Sequence, residues 1–198
     1  MKEKDIIYQL DSIYLRKAIY KGKPDYPIPP RKPNIVVNIR KETPMWKEIG
    51  PVRRYFNDIA KAAKRTSYVT FAEMDNYSLI SLLTQTDVLV TCYGDESTFI
   101  TFITPYSVFI EVQPDYYHDT TTSVLAYALD VYPIILRDVY SKKPSVCREE
   151  EGVLRSDEEP CRSVLFHREI VFDIKSMTQA MAQAVYYLNN YKMKVVKY

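Results

Sequence analysis

The sequence predicts a doubly wound α/β domain, in which helices cover both faces of a parallel sheet. Two patterns lead to this prediction. Short, continuous runs of Val, Ile and Leu recur along the chain, as is typical of parallel strands that are buried on both faces. Segments with a helical spacing of apolar residues alternate with these runs. The chain has 198 residues, which is enough for one such domain with a sizeable core.

The first 33 residues are expected to lie outside this domain. Apolar residues at helical spacing predict a helix over residues 4–20. Prolines at positions 24, 27, 29, 30 and 33 then predict an extended linker. We therefore divide the chain into an N-terminal helix with a Pro-rich linker, residues 1–33, and the α/β domain, residues 34–198.

The domain is expected to contain five strands, separated for the most part by helices. The strands are predicted at residues 35–39, 68–71, 88–91, 107–112 and 133–136. Pro51 suits a first helical turn, and this helix is expected to run to about residue 64. Asp75 or Asn76 would cap a helix that ends at residue 83, and a closing helix is predicted over residues 178–189.

Composition excludes several classes of function. The four glycines, at positions 22, 50, 94 and 152, are far apart, so the chain has no glycine-rich dinucleotide loop, P-loop or nucleophile elbow. Two histidines and no C-x-x-C make a standard zinc site unexpected. A net charge of +2 argues against a nucleic-acid binder. We expect no membrane segment and no targeting signal in this chain, because no apolar run is long enough.

In a doubly wound sheet, ligands bind outside the carboxyl ends of the strands. Arg40 would follow the first strand there and could bind a diphosphate through two hydrogen bonds; the alternative is an arginine in a surface ion pair. Gly94 would follow the third strand and let the backbone approach a phosphate, with Thr98 as a hydroxyl donor. The alternative for Gly94 is a tight turn before a capped helix. Glu111 is expected at the end of the fourth strand, where it could also be a satisfied structural carboxylate.

Residues 86–114 resemble the donor-binding half of glycosyltransferase family 61. The family pattern is an apolar strand, His-Gly-Ala, a Leu-Thr pair, a Phe, a Pro and a strand ending in Glu. Its positions match Gly94, Thr98, Phe102, Pro105 and Glu111. Two shorter stretches are similar to the same family in the same order. They are Ile39-Arg40 with Arg53-Arg54-Tyr55-Phe56-Asn57-Asp58, and Pro160-Cys161-Arg162 with Ile170-Val171-Phe172-Asp173-Ile174.

The resemblance implies a Rossmann-like domain similar to the C-terminal half of a GT-B glycosyltransferase. Such a half would bind a UDP-sugar as the donor substrate of an inverting transfer, with no other cofactor and no metal. The donor-binding residues would be Arg40, Arg54, Tyr93, Gly94, Thr98 and Glu111. No catalytic residue is assigned, because the catalytic base and the site for a protein or glycan acceptor are expected in a missing N-terminal half. The family resemblance also implies the lumen of the Golgi or the endoplasmic reticulum.

Three residues depart from the family pattern. Tyr93 replaces the family's His and cannot carry an imidazolium charge. Asp95 and Glu96 stand where a diphosphate would bind. Two like unit charges about 4 Å apart repel each other by about 4 kcal/mol at an effective dielectric constant near 20. These carboxylates could instead point outward or hold a divalent cation. The alternative function is therefore a degenerate, non-catalytic homologue that serves as a binding or scaffold module; a third is an unrelated α/β domain for a small phosphorylated ligand.

Two further features, a cysteine pair and a glycosylation sequon, bear on the compartment. Cys147 and Cys161 flank an acidic loop, and a disulfide between them would imply an oxidising lumen; the alternative is two free thiols. The third cysteine, Cys92, is expected to be a buried packing residue and does not bear on the compartment. Asn76-Tyr77-Ser78 is a glycosylation sequon, which matters only if the chain enters the secretory path.

Overall fold

The computed structural model describes residues 32–41, 45–114, 117, 119–138, 145–147, 149–150, 153–154 and 160–195. The helix expected over residues 4–20 and nearly all of the Pro-rich linker lie outside these residues. The strands, in chain order, are β1 Asn34–Asn38, β2 Met45–Trp46, β3 Arg65–Val69, β4 Val88–Cys92, β5 Val108–Pro114, β6 Tyr132–Asp138, β7 Glu149–Glu150, β8 Val153–Leu154 and β9 Glu169–Ile170. The helices are α1 Ile49–Ile59, α2 Asn76–Leu83, α3 Thr121–Ala128, α4 Cys161–Phe166 and α5 Ile174–Val195, with 3₁₀ segments at Ala60–Ala62, Phe71–Glu73 and Asp95–Phe102.

The main sheet has five strands in the order β3-β1-β4-β5-β6, and all of its strand pairs are parallel. The chain builds outward from β1 in one direction to β3 and then in the other direction through β4, β5 and β6. This reversal places a topological switch point between β1 and β4, which is where ligands of doubly wound sheets bind. The prediction of a parallel-sheet α/β domain is therefore confirmed, and the architecture is compatible with a Rossmann-like fold.

Apolar side chains leave the central strands on both faces, because successive residues of a strand point to opposite sides. Val37, Val90 and Ile110 lie in a core with residues of α1 and α5. Val36, Leu89 and Phe109 lie in a second core with residues of α2, α3 and the 3₁₀ segment Asp95–Phe102. We call these two sides the α1/α5 face and the α2/α3 face. Every residue of β4 and β5 is buried, which accounts for their continuous apolar sequences.

Several element boundaries differ from the sequence prediction. β3 lies at Arg65–Val69 rather than at 68–71, because Thr70 bonds Ile39 O through its hydroxyl (2.7 Å) and Phe71 begins a 3₁₀ segment. β5 extends to Pro114 rather than ending at 112. This extension is a correction for Glu111, which occupies the middle of the strand and not its end. The sequence analysis did not predict α3, α4 or the short parallel pair of β2 with β9.

The α4 helix is fastened to the domain at two points. A disulfide joins Cys147 to Cys161, the first residue of α4, with the two Cα atoms 4.6 Å apart. Both cysteines are buried. The hydroxyl of Tyr93, just beyond β4, donates a hydrogen bond to Leu165 O within α4. Helix α4 is thereby held near the carboxyl end of β4. None of the helices in the described ranges combines the length and the apolar character needed to cross a membrane.

We expect the disulfide to contribute to stability. It closes a loop with a sequence separation of 14, for which the chain-entropy model gives about 3 kcal/mol. The variant Cys147→Ser/Cys161→Ser should therefore lose about 3 kcal/mol of unfolding free energy, as measured by urea denaturation. Dithiothreitol should lower the urea midpoint of the wild type and leave that of the double variant unchanged. A wild-type midpoint that does not respond to the reductant would contradict this expectation.

Candidate functional site

The candidate site lies at the switch point, where β1 and β4 end side by side. β1 leads into Ile39 and Arg40, and β4 leads into Tyr93 and Gly94. Gly94 has φ 129° and ψ −170°, a backbone conformation that favours glycine because a Cβ atom would be strained there. The chain then enters the 3₁₀ segment Asp95–Phe102, which crosses the sheet edge on the α2/α3 face. This turn directs residue 96 back toward β1.

Glu96 and Arg40 form an ion pair across the switch point. The distance from Arg40 Nε to Glu96 Oε2 is 3.1 Å, and Arg40 Nη1 donates to Tyr93 O at 3.1 Å. The side chains are 11% and 14% exposed, so water screens this pair poorly. The sequence left two roles open for Glu96, an outward orientation or the binding of a divalent cation. The structure shows neither: Glu96 points inward to the Arg40 guanidinium. Asp95 is exposed.

Asn38, the last residue of β1, connects the segments around the same site through hydrogen bonds. It is fully buried. Its amide donates to Glu96 Oε2 at 2.7 Å and to Thr91 Oγ1 at 3.1 Å, while its side-chain oxygen accepts from Phe71 N at 3.4 Å. Its main-chain oxygen accepts from the indole nitrogen of Trp46 at 3.1 Å. Every polar group of the Asn38 side chain is therefore used, and the Glu96 carboxylate has two donors that hold it in place.

The chemical consequence concerns anions. Arg40 is the guanidinium that a diphosphate at the switch point would meet, and an internal carboxylate already occupies its Nε side. An incoming phosphate would have to displace Glu96 or lie beside it and meet like-charge repulsion. Within the described part of the chain, no group of three or more His, Cys, Asp or Glu side chains could hold a metal ion that would offset this repulsion.

A second polar cluster lies on the same face of the sheet, around Glu111. Thr91 of β4 pairs with Glu111 of β5 in the sheet register. Glu111 Oε2 accepts from Thr122 Oγ1 at 2.7 Å and from Gln113 Nε2 at 2.6 Å. The Gln113 side-chain oxygen in turn accepts from Arg137 Nη1 at 2.5 Å. This cluster ties β5, β6 and the start of α3 together.

Glu111 is 1% exposed and only partly satisfied. Its Oε1 atom and the buried Ser97 hydroxyl both lack a hydrogen bond of regular geometry. Burial raises the pKa of the Glu111 carboxyl above its usual range, and the hydrogen bonds from Thr122 and Gln113 offset only part of that effect. A carboxyl so enclosed is better suited to holding the fold than to contacting a ribose.

Of the other predicted donor-binding residues, Tyr93 contacts Arg40 through its main-chain oxygen, whereas the Tyr93 and Thr98 hydroxyls bond elsewhere. The Tyr93 ring is buried on the other side, against Tyr117 and Phe166 with centroids 4.7 and 5.6 Å away, and burial raises the pKa of its hydroxyl. Thr98 is exposed, and its hydroxyl donates to Asp95 O at 2.6 Å, within its own 3₁₀ segment. Gly94 forms the turn between β4 and the 3₁₀ segment, which has no side-chain cap.

Arg54, the remaining predicted residue, is exposed on α1 and makes no hydrogen bond or ion pair with the Arg40–Glu96 group. Its neighbour Arg53 places its guanidinium 5.7 Å from the centre of the Tyr68 ring. This is a cation–π distance, so Arg53 has a structural partner. The pair of arginines that resembles the family's helix start thus lies apart from the switch-point guanidinium.

Sequence reasoning missed Asn38, Thr91, Gln113 and Thr122, which complete the two clusters. A signal for the first three was present. Each is a polar residue near the carboxyl end of a mostly apolar strand, and each falls on the α2/α3 side of its strand. Polar residues that align in this way across neighbouring parallel strands indicate a buried polar row.

No protein-family model and no curated protein matches this chain. The resemblance to glycosyltransferase family 61 therefore stays a prediction from the sequence.

A double-mutant cycle on Arg40→Ala and Glu96→Gln should show coupling of about 1–3 kcal/mol in unfolding free energy. Arg40→Ala should be the more costly single change, because it leaves a poorly solvated carboxylate without its cation. Urea denaturation of the four proteins measures the coupling.

The matched control is Lys41→Ala with Glu73→Gln, an ion pair whose side chains are 67% and 54% exposed. Exposed pairs contribute less than about 1 kcal/mol, so this cycle should show little coupling. Equal coupling in the two cycles would refute the structural role of the buried pair.

Glu111→Gln should change how stability depends on pH. In the wild type, the folded state holds the carboxyl proton to a higher pH than the unfolded chain does. The contribution of Glu111 to the unfolding free energy should thus fall as pH rises from the ordinary Glu range, about 4.3, through the raised folded-state pKa. Gln cannot titrate, so the wild-type minus variant difference should decrease across this window and then level off. Urea denaturation over a pH series measures it; a difference that is constant with pH, as expected for the exposed Glu73→Gln, would rule this out.

Proposed function

We propose that the protein is a non-catalytic, glycosyltransferase-like homologue that serves as a binding or scaffold module. One observation carries the proposal: the carboxylate of Glu96 pairs with Arg40 at the switch point of the sheet. A nucleotide's phosphates would need that guanidinium. In this chain the guanidinium of Arg40 is paired with Glu96, whose carboxylate also accepts a hydrogen bond from Asn38.

The backbone at the same place supports the proposal. Phosphate sites at the end of a strand use the free N–H groups of a following helix. Here the segment after β4 is a 3₁₀ helix, and the N–H of Ser97 already donates to Gly94 O at 2.9 Å. The Thr98 hydroxyl is used in the same way, on Asp95 O. Two donors that could contact a phosphate, the Ser97 N–H and the Thr98 hydroxyl, are therefore occupied within the segment.

Electrostatics adds a second obstacle to nucleotide binding. A unit charge of the same sign about 4 Å from the Glu96 carboxylate costs about 4 kcal/mol at an effective dielectric constant near 20. Because each 1.4 kcal/mol is a factor of ten in affinity, this cost corresponds to about a thousandfold weaker binding. A donor site of micromolar affinity would become a site of millimolar affinity.

The second candidate is the donor half of an inverting family 61-type transferase that uses a UDP-sugar. The observation that favours it is the place of Arg40, which follows the first strand directly and reaches the switch point. Arg40 could bind a diphosphate if Glu96 swung outward. Transfer would then also require an N-terminal half to supply the acceptor site and the catalytic base. In cells, this candidate implies the Golgi or endoplasmic reticulum lumen.

Calorimetric titration with UDP separates the two candidates. We expect no binding by the wild type at about 0.1 mM UDP, well below a millimolar Kd, and a gain of at least about tenfold in affinity for Glu96→Gln, which removes the repelling charge. The variant Arg40→Ala/Glu96→Gln should lose that gain. Glu73→Gln is the matched control, since it removes a carboxylate from the loop after β3 without freeing Arg40.

The opposite pattern would support the donor half. In that case the wild type binds UDP, and Arg40→Ala abolishes the binding. Sugar transfer by the wild-type chain would overturn the proposal of a non-catalytic module outright. If Glu96→Gln does not gain affinity, the carboxylate is not what closes the site, and the proposal loses the observation on which it rests.

A further inference from the structure

We propose that Asn76 is a site of N-linked glycosylation. The sequence Asn76-Tyr77-Ser78 has the acceptor pattern, with a residue other than Pro in the middle. Asn76 is the one asparagine of the chain that is followed by such a pattern. The proposal does not depend on the function proposed above.

The fold leaves this asparagine free to carry a bulky group. Asn76 is the first residue of α2, directly after the N-cap Asp75, and its side chain is exposed. The Asn76 side chain makes no hydrogen bond to any other residue in the described ranges. The helix start is held instead by Asp75 Oδ1, which accepts from Ser78 N at 2.9 Å. A substituent on the Asn76 amide would thus break no contact of the native state.

The neighbouring surface suits a sugar. Tyr77 is 84% exposed, which is the highest value among the exposed large apolar side chains of the described residues. An aromatic ring that stands in solvent beside the acceptor amide offers the first sugar an apolar face to lie on. The core side of α2 is formed by Leu79 and Leu83, so the Tyr77 ring is left in solvent.

A second, independent observation concerns the compartment. The structure contains a disulfide between Cys147 and Cys161. Disulfides of this structural kind persist in the oxidising lumen of the secretory path and are rare in the cytosol. That lumen is also where asparagine-linked oligosaccharides are added. The disulfide and the exposed sequon are therefore two independent observations that both indicate the lumen of the secretory path.

The reaction requires an oligosaccharide carried on a lipid diphosphate as co-reactant. A bond forms between Asn76 Nδ2 and the anomeric carbon of the sugar, and the bond from that carbon to the diphosphate oxygen breaks. The electron pair leaves with the diphosphate, and Asn76 Nδ2 loses one proton. Because transfer takes place on the entering, unfolded chain, the helical start at Asn76 is no obstacle, and the folded state need only accommodate the product.

The attachment point has a structural consequence. The 3₁₀ segment Phe71–Glu73 lies a few residues before Asn76, and Phe71 N donates to Asn38 in the candidate site. Asn76 therefore lies at the carboxyl edge of the sheet, the same edge as the Arg40–Glu96 pair. A glycan there would stand beside this edge and limit the size of a partner that approaches it.

The test is made on the full protein isolated from the organism that produces it. Cleavage of N-linked glycans by a peptide amidase in heavy-oxygen water should convert Asn76 into labelled Asp and should reduce the apparent mass. The peptides are best made with chymotrypsin, because no Lys or Arg lies between Arg65 and Arg137. Unlabelled, unmodified Asn76 in the native protein would overturn the proposal.

A variant series shows that the modified site is the sequon itself. When the full chain is secreted from eukaryotic cells behind a cleavable leader, the wild type and Ser78→Thr should carry the glycan. Asn76→Gln and Ser78→Ala should lack it. Ser78→Thr is the matched control, because it keeps both the acceptor pattern and the backbone N–H that Asp75 caps. A glycan that persists in Asn76→Gln, or a wild-type chain secreted with its disulfide but without a glycan, would refute the assignment.

Discussion

Buried polar groups need partners, and the carboxyl edge of this sheet is arranged around that requirement. Asn38 lies at the end of the strand from which the sheet grows in both directions, and it is fully buried. A buried amide that lacks partners costs a few kcal/mol, so the segments around it must each supply or accept a hydrogen bond. Thr91, Glu96, Phe71 and Trp46 do so, through contacts with its side chain or its main-chain oxygen. The loops after three strands are thereby positioned by one residue.

The same requirement has a functional consequence. A doubly wound sheet offers a ligand the space at its switch point, yet the fold alone does not say whether a ligand is bound there. Glu96 brings a negative charge into that space, where Arg40 and Asn38 stabilise it. The two donors that make the position attractive for a phosphate are the donors that retain the carboxylate. An internal anion in the place of a ligand is what separates the proposed binding module from a donor domain.

A second buried carboxylate, Glu111, ties the far half of the sheet in the same way. It is held by Thr122 and Gln113, and Gln113 connects it to Arg137 of the edge strand. Together with the disulfide of α4, these clusters connect the carboxyl ends of the strands to the segments around them. The two polar clusters occupy one face of the sheet, and the other face is packed against α1 and α5 by apolar contacts.

The sequence predicted the class of fold, the five strands of the main sheet and a helix capped at Asp75 or Asn76. It could do so because continuous apolar runs and capping residues act locally, within one or two turns or strands. It placed Arg40 and Gly94 at the correct edge of the sheet for the same reason. Boundaries such as the end of β5 escaped it, because strand length depends on the neighbouring strand, here β6, which pairs with β5 as far as Pro114.

The tertiary structure alone decided what the polar residues do. Asn38 ends β1 and Arg40 follows it, whereas Glu96 follows β4. These residues meet only because β1 and β4, which are more than 50 residues apart in the chain, lie side by side in the sheet. Local sequence left Glu96 free to point outward or to hold a cation, and gave no indication that it would face Arg40. Burial of a carboxylate is favourable only beside a cation and donors, and only the folded sheet brings these together.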